Sequence, residues 1–519
     1  MNPYFDDHYD VLAVGASLAT LSSALYLAEQ GLKVLCLEQH NLPGGVATSF
    51  VRGGVELEAS LHEMMSIGTE AYPLSARRFL ESHGANVDWI RLPHAYRLVT
   101  PSLNVEIHAG QEGDFSVPAR DIAKACGPEL EEEAYEKLMR FFALCEKVRV
   151  SSDALGQGDI KPAELLKKHK SFLISSPYSV ETIFKVFRLP KIARDILSAY
   201  WVYLGSPMGD VPFPVYGYLL ADYLGYGAYI PRHISYEMSL KLAEAAKRAG
   251  VQIEYGQRVS KILVEKGKAK GLRLENGIEL LCPHIICGAY PSSAFLSLIE
   301  PETEVPKKAK KWVNGMEMGV SCFSVVMLLD QTPEQLGIQD YATFISQTEF
   351  DCDHSYENGK TDGEWEYLTS VCVNLGHEDA SPKGTCVYSI TAVPSADHFR
   401  GIDASEYEEY KRRHAEQFIE SENKRLGIRL QDHILEIVVE TPLTVSHYTG
   451  AYLGGIYGYR HTMSNHVVTR TLLQTKERFI KGLSFSGAHQ ISGDGMAPAI
   501  QNGIGSAKEI LSDIRRSKK

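Results

Sequence analysis

Near the amino end, two short apolar runs flank a stretch whose apolar residues recur at helical spacing. The runs Tyr9 to Val14 and Lys33 to Glu38 are typical of buried strands. Between them, Leu18 to Gln30 has the helical pattern, and Gly31 follows as a residue that commonly ends helices. We therefore predict a strand–helix–strand unit, which requires two parallel strands joined by a right-handed crossover.

A second group of elements follows much later in the chain. Tyr236 to Ala249 is amphipathic and ends before Gly250, which predicts a helix. Asn276-Gly277 separates two alternating runs and indicates a tight hairpin. The strands of this group are predicted at 252–255, 259–264, 269–274, 279–281 and 284–287.

The remaining β-rich runs indicate an antiparallel sheet, which a charged helix at 405–425 interrupts. Those runs are 322–329, 342–346, 367–373 and 386–392. A last strand at 483–486 leads into a glycine-rich loop and a helix from about 499 to 512. This order predicts a nucleotide-binding domain assembled from 1–75, 226–295 and 470–519. The second domain, inserted between those pieces, would contain 76–225 and 296–469.

The turn after the first strand has the context of a phosphate-binding loop. Residues 15–20 stand where dinucleotide-binding folds carry G-x-G-x-x-G, with a strand before and a helix after. The helix N-terminus offers free N–H groups to a pyrophosphate, and Glu38 ends the second strand where an acidic residue accepts from the ribose hydroxyls. We predict that Gly15 and Glu38 bind a dinucleotide.

Two positions depart from that motif. Ser17 replaces the glycine nearest the pyrophosphate, and we expect its small hydroxyl group to be tolerated and to donate to phosphate. Thr20 replaces the glycine that allows close packing of helix on strand, which predicts a wider spacing or a shifted helix. A strand–helix–strand unit that no longer binds a nucleotide stays open as the alternative.

Further motifs resemble one enzyme group along nearly the whole chain. They include Pro-Gly-Gly at 43–45, the segments 226–231, 257–259 and 288–291, the stretch 441–458, and the glycine-rich 482–503. In these the chain resembles the phytoene desaturase, carotenoid isomerase and retinol saturase group of FAD enzymes. The stretch 441–458 favours the isomerase and saturase relatives over strict desaturases.

The resemblance implies an α/β fold, α+β overall. It consists of a Rossmann-type, glutathione-reductase-like FAD-binding domain with an inserted substrate domain built on an antiparallel sheet plus helices. Departures from the group's pattern, at Val46, Ala59, Ser60 and Ala488, concern the redox chemistry more than the fold. With the phosphate turn, the implied FAD-binding residues are Gly15, Ser17, Thr20, Glu38, Gly44, Gly45, Val259, Gly487, Gly493, Asp494, Gly495 and Met496.

The function implied by the resemblance is that of an FAD-dependent oxidoreductase acting on carbon–carbon double bonds. Saturation, desaturation and cis/trans isomerisation of a hydrophobic polyene or isoprenoid lipid all stay open. An amine-oxidase-like flavoprotein and a lipid-binding protein with a degenerate cofactor site are the alternatives. Because no second nucleotide motif is present, NAD(P)H or another electron donor or acceptor would bind without a domain of its own.

Candidate catalytic residues are few, because a flavin carries out the difficult step itself. The resemblance places His62 near the flavin, and His447 and Tyr448 on the opposite side of the site. Tyr457 is a candidate wall or general acid, and His489 a candidate flavin contact. A structural role is the alternative for each. The aromatic-rich stretch 200–226 fits either a tunnel for a long apolar substrate or an ordinary core.

Composition limits the partners. Asp plus Glu exceed Lys plus Arg, with a net charge of −12, so no cation excess exists to bind nucleic acid. Nine scattered cysteines without a C-x-x-C pair indicate reduced thiols and predict no metal site. The uncharged run 11–28 approaches a membrane span in length, but its serines and threonine favour the strand–turn–helix interpretation.

These features, and an acidic amino end unlike a signal peptide, predict a cytoplasmic protein. Lysines and arginines between 165 and 200 are interleaved with apolar residues, as in segments that lie on a membrane surface. We expect either peripheral membrane contact through 165–200 or an ordinary solvated face.

Overall fold

A computed structural model describes residues 5–6, 8–156, 167–361, 363–465, 470 and 479–517. Its strands are β1 (Val11–Val14), β2 (Val34–Leu37), β3 (Ser49–Arg52), β4 (Val55–Glu58), β5 (Trp89–Arg91), β6 (Tyr96–Val99), β7 (Asn104–Ile107), β8 (Tyr229–Pro231), β9 (Gln252–Glu254), β10 (Val259–Glu265), β11 (Lys268–Leu274), β12 (Glu279–Leu281), β13 (Ile285–Cys287), β14 (Ile299–Glu300), β15 (Phe323–Leu329), β16 (Ala342–Ser346), β17 (Tyr367–Cys372), β18 (Cys386–Ala392), β19 (Ile434–Glu440) and β20 (Leu483–Phe485). Its α-helices are α1 (Leu18–Glu29), α2 (Ser75–Ser82), α3 (Ser116–Ala125), α4 (Glu131–Gly156), α5 (Lys170–Ser175), α6 (Val180–Val186), α7 (Lys191–Ser198), α8 (Phe213–Tyr226), α9 (Ile234–Arg248), α10 (Pro291–Ser293), α11 (Lys307–Asn314), α12 (Cys352–Asn358), α13 (Val373–Gly376), α14 (Tyr407–Leu426), α15 (Pro442–Thr449) and α16 (Met496–Ser517).

A five-stranded parallel sheet organises the first part of the molecule. Its strand order is β20–β13–β1–β2–β9, so strands from the amino end, the middle and the carboxyl end of the chain lie side by side. The strand–helix–strand unit predicted at the amino end is confirmed as β1, α1 and β2. The mixed α/β fold class is confirmed as well. The domain bounds themselves stay a proposal, and 471–478 lie outside the described residues.

Alternating side chains of the parallel sheet pack against different layers. Val11 and Ala13 contact a layer formed by helices α1, α9 and α16. Leu12 faces the other way, onto the four-stranded sheet β12–β11–β10–β14. Because apolar side chains cover both faces, these strands read in the sequence as continuous apolar runs.

Close contacts with two glycines fix the position of α1. A Cβ on Gly503 of α16 would lie 2.2 Å from the carbonyl oxygen of Ala19, and the Ser23 hydroxyl donates to the Gly503 carbonyl at 2.8 Å. On the sheet side, a Cβ on Gly288 would lie 2.8 Å from the Thr20 methyl carbon. The wider helix–strand spacing predicted from Thr20 is therefore corrected. The glycine that permits close approach lies at the end of β13 instead of on the helix.

The second part of the molecule is a seven-stranded sheet of order β19–β15–β18–β17–β16–β6–β7. All neighbours are antiparallel except the pair β16 and β6, which confirms the predicted antiparallel sheet. The predicted charged helix is α14, whose Phe418 and Ile419 pack on Phe323 and Val325 of β15. Helices α3 to α8 form a separate aromatic-rich layer. In the part of the chain that the structure describes, we find no helix with the length and apolar character of a bilayer span.

The contact between α1 and α16 yields a matched pair of substitutions. Gly503→Ala should lower the free energy of unfolding by about 1–3 kcal/mol, because the new methyl group meets α1 backbone. Gly505→Ala, in the same helix with open space around it, should be neutral or stabilising by up to about 1 kcal/mol. Urea denaturation of both variants measures the difference. Equal effects would contradict this account of the packing.

Candidate active site

A large cavity lies between the two sheets. About 2270 Å³ of empty space lies within its walls, a figure that includes the opening to solvent. One end is lined by loops that follow β1, β2, β13 and β20, where ligands of parallel α/β sheets bind. The other end is lined by one face of the seven-stranded sheet together with residues of the helical layer.

The loop after β1 presents backbone donors to the cavity. Leu18 and Ala19 begin α1, so their N–H groups have no acceptor within the helix. Ser17 caps this helix, and its Oγ accepts from the Thr20 N–H at 3.4 Å. Ser17 also pairs with Gly44, which brings the Gly44-Gly45 turn beside the helix N-terminus. The predicted donation from Ser17 to phosphate is thus joined by a capping role that the sequence analysis did not assign.

The Glu38 side chain stabilises the loop that follows β1. One carboxylate oxygen accepts from the Ala16 N–H at 2.7 Å, and the other accepts from the His40 N–H at 2.8 Å. Gly15, with a φ of +94°, adopts a left-handed conformation that favours glycine. Each carboxylate oxygen keeps a second lone pair, so ribose binding by Glu38 stays a proposal.

A second helix N-terminus points at the cavity from the carboxyl end of the chain. Helix α16 begins at Met496, directly after Gly493, Asp494 and Gly495. The Asn502 side-chain amide donates to the carbonyl of Gly487 at 2.9 Å and to that of Gly493 at 2.8 Å, which fixes the loop. The Asp494 carboxylate is in close contact with His461 Nε2, and both side chains are buried.

These loops fit a flavin dinucleotide. Two helix N-termini supply N–H groups of the kind that bind a pyrophosphate or the electron-rich edge of a flavin. The buried Nε2 of His489 lines the same end without a hydrogen-bond partner among the described residues. Burial, reinforced by Arg470, lowers the pKa of His489 to about 3, so this ring is a neutral donor or acceptor near pH 7.

Not every predicted cofactor residue lines the cavity. Ser17, Gly44, Gly45, Gly487, Asp494, Gly495 and Met496 do so. Gly15, Thr20, Glu38 and Gly493 lie just behind these loops. Val259 pairs with Leu274 in the four-stranded sheet and does not line the cavity. Gln257, two residues before Val259, donates from its N–H to the Glu38 carbonyl at 2.8 Å. Val259 therefore lies near the Glu38 loop, and its contact with FAD stays a prediction.

The aromatic-rich stretch divides between cavity and core. Tyr203 and Tyr223 line the cavity, together with apolar residues such as Met65 and Leu219. Tyr200, Trp201 and Tyr226 are buried and do not line it. The two interpretations of this stretch, tunnel and core, therefore each apply to part of it.

His62 lies on the cavity wall in a chain of hydrogen bonds. Its Nδ1 is 2.7 Å from the Tyr203 hydroxyl, which in turn is 2.9 Å from Glu63 Oε1. Both His62 Nε2 and Glu63 Oε2 are buried without a hydrogen-bond partner among the described residues. Burial lowers the pKa of His62 to about 4 and raises the pKa of Glu63 to about 8. Both groups are thus uncharged at neutral pH.

The three other predicted catalytic residues have different placements. Tyr457 is half-buried on the cavity wall, and desolvation raises the pKa of its hydroxyl. The prediction that His447 and Tyr448 face the substrate is corrected. Helix α15 turns both side chains toward solvent, with Tyr448 56% exposed, and the cavity is contacted by the residues that follow them, from Thr449 onward.

The sequence analysis missed three acidic residues that line the cavity in the described part of the chain: Glu58, Glu63 and Glu440. Burial, with a further contribution from Glu58, raises the pKa of Glu440 to about 8. Glu440 ends β19 beside hydroxyl-bearing residues such as Ser324 and Thr391, which bond each other at 2.7 Å. The sequence did offer a signal for Glu63, because this glutamate directly follows the candidate catalytic residue His62. Nothing in the run ending at Glu440 distinguishes an inward from an outward carboxylate.

One group of side chains bears on the predicted absence of a metal site. Potential ligand atoms of His94, Glu106 and His108 lie within 4.8 Å of one another at the β6–β7 edge. The group does not line the cavity, and Glu106 is also 3.5 Å from Arg97. We assign no role in the candidate active site to this group.

Comparison with known proteins relates this geometry to a family. The family model described as flavin containing amine oxidoreductase matches residues 18–511. The chain is 23% identical over 474 residues to the chloroplastic prolycopene isomerase of Daucus carota, covering 87% of this chain and 72% of that protein. It is 22% identical over 488 residues to the all-trans-retinol 13,14-reductase of Macaca fascicularis, covering 88% of this chain and 78% of that protein.

A solved structure has the same fold. The crystal structure of an oxidoreductase from Methanosarcina mazei superposes with a TM-score of 0.62 at 14% identity, covering 96% of this chain and 99% of that chain. At this identity the likeness concerns the fold alone.

The raised pKa of Glu440 predicts a pH-dependent cost to stability. Between about pH 4.5 and about pH 8 this residue ionises in the unfolded chain while it stays protonated in the folded protein, so stability falls as pH rises. Glu440→Gln should remove this loss. Its free energy of unfolding, relative to that of wild type, should therefore rise by a few kcal/mol across that window, at about 1.4 kcal/mol per pKa unit. Urea denaturation at both ends of the window measures the gain.

The matched control is Glu436→Gln, an exposed position on the same strand. Its free energy of unfolding should differ little from that of wild type at either pH. A gain for Glu440→Gln that is the same at low and high pH would contradict a buried, protonated carboxyl group.

Proposed function

The chain belongs to the flavin-containing amine oxidoreductase family, and we propose that it is an FAD-dependent oxidoreductase acting on carbon–carbon double bonds. Its substrate would be a hydrophobic polyene or isoprenoid lipid. Two similar proteins, the prolycopene isomerase and the all-trans-retinol 13,14-reductase, carry names that describe chemistry at such bonds. Bound FAD would supply hydride transfer to or from the substrate.

The observation that carries this proposal is the continuity of the cavity. Loops suited to a dinucleotide line one end, and rings and apolar side chains such as Tyr203, Tyr223 and Val326 line the other. A long apolar molecule would reach the flavin end without leaving this shielded space. Further apolar lining residues, such as Met65 and Leu219, suit a substrate with few polar groups.

Electrons would enter or leave through the flavin. Because the sequence carries one nucleotide motif, we propose that NAD(P)H or another donor or acceptor acts without a domain of its own. A redox-neutral isomerisation would require reduced flavin and no net electron flow.

Flavin binding tests the first step of the proposal. Wild type should show flavin absorption bands as purified or after addition of FAD. Glu38→Ala should weaken FAD binding about tenfold or more, because the Ala16 and His40 N–H groups lose their charged acceptor and the loop loses its support. Glu29→Ala, on the same helix–strand unit, is the control. A protein that stays colourless with added FAD would rule out the flavoenzyme.

Product analysis tests the second step. The FAD-loaded protein would be incubated with polyene and isoprenoid lipids under reducing and oxidising conditions, and the products separated by chromatography and mass spectrometry. We expect a saturated, desaturated or isomerised lipid. Turnover of simple amines with no change in any polyene would favour the amine-oxidase alternative.

We also propose that a surface formed by α5, α6 and α7 contacts lipid membranes. Of the predicted 165–200 segment, the structure describes 167–200. Ile174, Val186 and Ile192 are 59%, 68% and 37% exposed there, beside the exposed cations Lys185 and Arg188. Exposed apolar side chains flanked by cations are typical of surfaces that bind anionic membranes.

Vesicle sedimentation tests this contact. Wild type should sediment with vesicles of phosphatidylcholine and phosphatidylserine, less so at high salt. Ile174→Ser combined with Val186→Ser should reduce binding several-fold, whereas Leu281→Ser, at a residue 72% exposed elsewhere, should not. Equal binding by all three proteins would leave α5–α7 as an ordinary solvated face.

A further inference from the structure

The hydrogen-bonded chain of His62, Tyr203 and Glu63 has the parts of a proton relay. His62 Nδ1, the Tyr203 hydroxyl and Glu63 Oε1 are linked by contacts of 2.7 and 2.9 Å. All three residues line the cavity, and His62 Nε2, at one end of the chain, is buried and has no partner among the described residues. Such an atom costs stability unless a ligand bonds it, so the chain ends on a group suited to a substrate.

The surrounding structure holds each member in place. The His62 carbonyl accepts from the Tyr341 hydroxyl at 2.7 Å, and the Glu63 carbonyl accepts from the Tyr223 hydroxyl at 3.2 Å. Hydrogen bonds from tyrosine hydroxyls therefore hold the backbone of both His62 and Glu63, the residues at the two ends of the relay. Preorganised groups of this kind transfer protons without first rearranging.

Two proton arrangements are compatible with the same heavy atoms. In the first, Glu63 is protonated and donates to the Tyr203 oxygen, Tyr203 donates to His62 Nδ1, and His62 carries a proton on Nε2. In the second, Glu63 is a carboxylate that accepts from Tyr203, whose oxygen accepts from His62 Nδ1–H, and His62 Nε2 has a lone pair. The arrangements differ by one proton at each link.

We propose that Glu63, Tyr203 and His62 form a proton relay that protonates the substrate from His62 Nε2. The inference rests on the proposed function, because saturation of a double bond requires a proton as well as a hydride. When a hydride adds to one carbon, the other carbon takes the electron pair of the double bond. His62 is the catalytic residue, and Tyr203 and Glu63 act through it.

The step balances in atoms and charge. The Nε2–H bond of His62 breaks as a carbon–hydrogen bond forms on the substrate. His62 Nδ1 takes the Tyr203 proton, and the Tyr203 oxygen takes the Glu63 proton. The negative charge thereby moves from the substrate to the Glu63 carboxylate. Desaturation would run the same relay in reverse.

The environment of Glu63 supports its role as the proton store. Its carboxyl group faces Tyr203 and Tyr200, and it influences the hydroxyl pKa of Tyr96, Tyr223 and Tyr341 from neighbouring elements. Among the described residues, no lysine or arginine is paired with it. Desolvation therefore keeps the carboxyl group protonated up to about pH 8, which corresponds to the first arrangement.

Histidine NMR tests the relay without substrate. In ¹⁵N-labelled protein, with His62 assigned by loss of its signals in His62→Gln, we expect the Nε2–H form at pH 6.5. Above about pH 8 the ring should switch to the Nδ1–H form as Glu63 ionises. Glu63→Gln and Tyr203→Phe should each abolish the switch. Tyr367→Phe, which removes a buried hydroxyl bonded to the Ala199 carbonyl, is the matched control and should keep it.

Isotope incorporation tests the same relay during turnover. A reduction in D₂O should place one solvent deuteron on the product carbon, and the rate should fall above about pH 8. Glu63→Gln should lower kcat about a hundredfold with little change in KM, and it should remove that pH dependence. Tyr203→Phe should have a similar effect, and Tyr367→Phe should change neither quantity.

The two experiments fail separately. A single His62 tautomer at every pH, unaffected by Glu63→Gln and Tyr203→Phe, would overturn the relay even in an active enzyme. A normal tautomer switch in a protein that changes no polyene would instead overturn the proposed function.

Discussion

The close approach of α1 to its neighbours is the constraint on which the site depends. Gly503 allows α16 to contact the backbone of α1, and Gly288 allows β13 to reach Thr20. With these contacts, two helix N-termini from opposite ends of the chain meet above one sheet edge. Backbone N–H groups then converge on the cavity, and none of the described residues that line it is a lysine or arginine, as suits a site that also receives an apolar substrate.

The sequence predicted the parallel-sheet unit well because its signals are local. A strand, a helix and a second strand occur together near the amino end, and the hairpin at Asn276-Gly277 has its own turn chemistry. Thr20 shows where local interpretation fails. The missing glycine of the motif is replaced by Gly288, far away in sequence, and only the fold brings the two positions together. The prediction that His447 and Tyr448 face the substrate was wrong for a related reason, because a sequence motif does not show which way a helix turns its side chains.

The acidic cavity residues were harder to predict because burial is a tertiary property. Glu440 ends a strand whose other glutamate, Glu436, is exposed, and composition alone treats the two alike. Glu63 is distinguished by the tyrosines around it, which come from four separate segments. A carboxyl group in such a place raises its pKa because the protonated form needs less solvation.

The loss of folding stability caused by these buried carboxyl groups bears on function. A cavity built only to hold an apolar molecule would be more stable with amides or apolar groups at 63 and 440, because each buried carboxyl group opposes folding once the unfolded chain ionises. Glu63 lies two hydrogen bonds from the unpaired nitrogen of His62 on the cavity wall. Redox-neutral isomerisation has no net need for a proton, whereas saturation and desaturation each move one. A protonated store beside the substrate therefore favours a reaction in which hydrogen is added or removed.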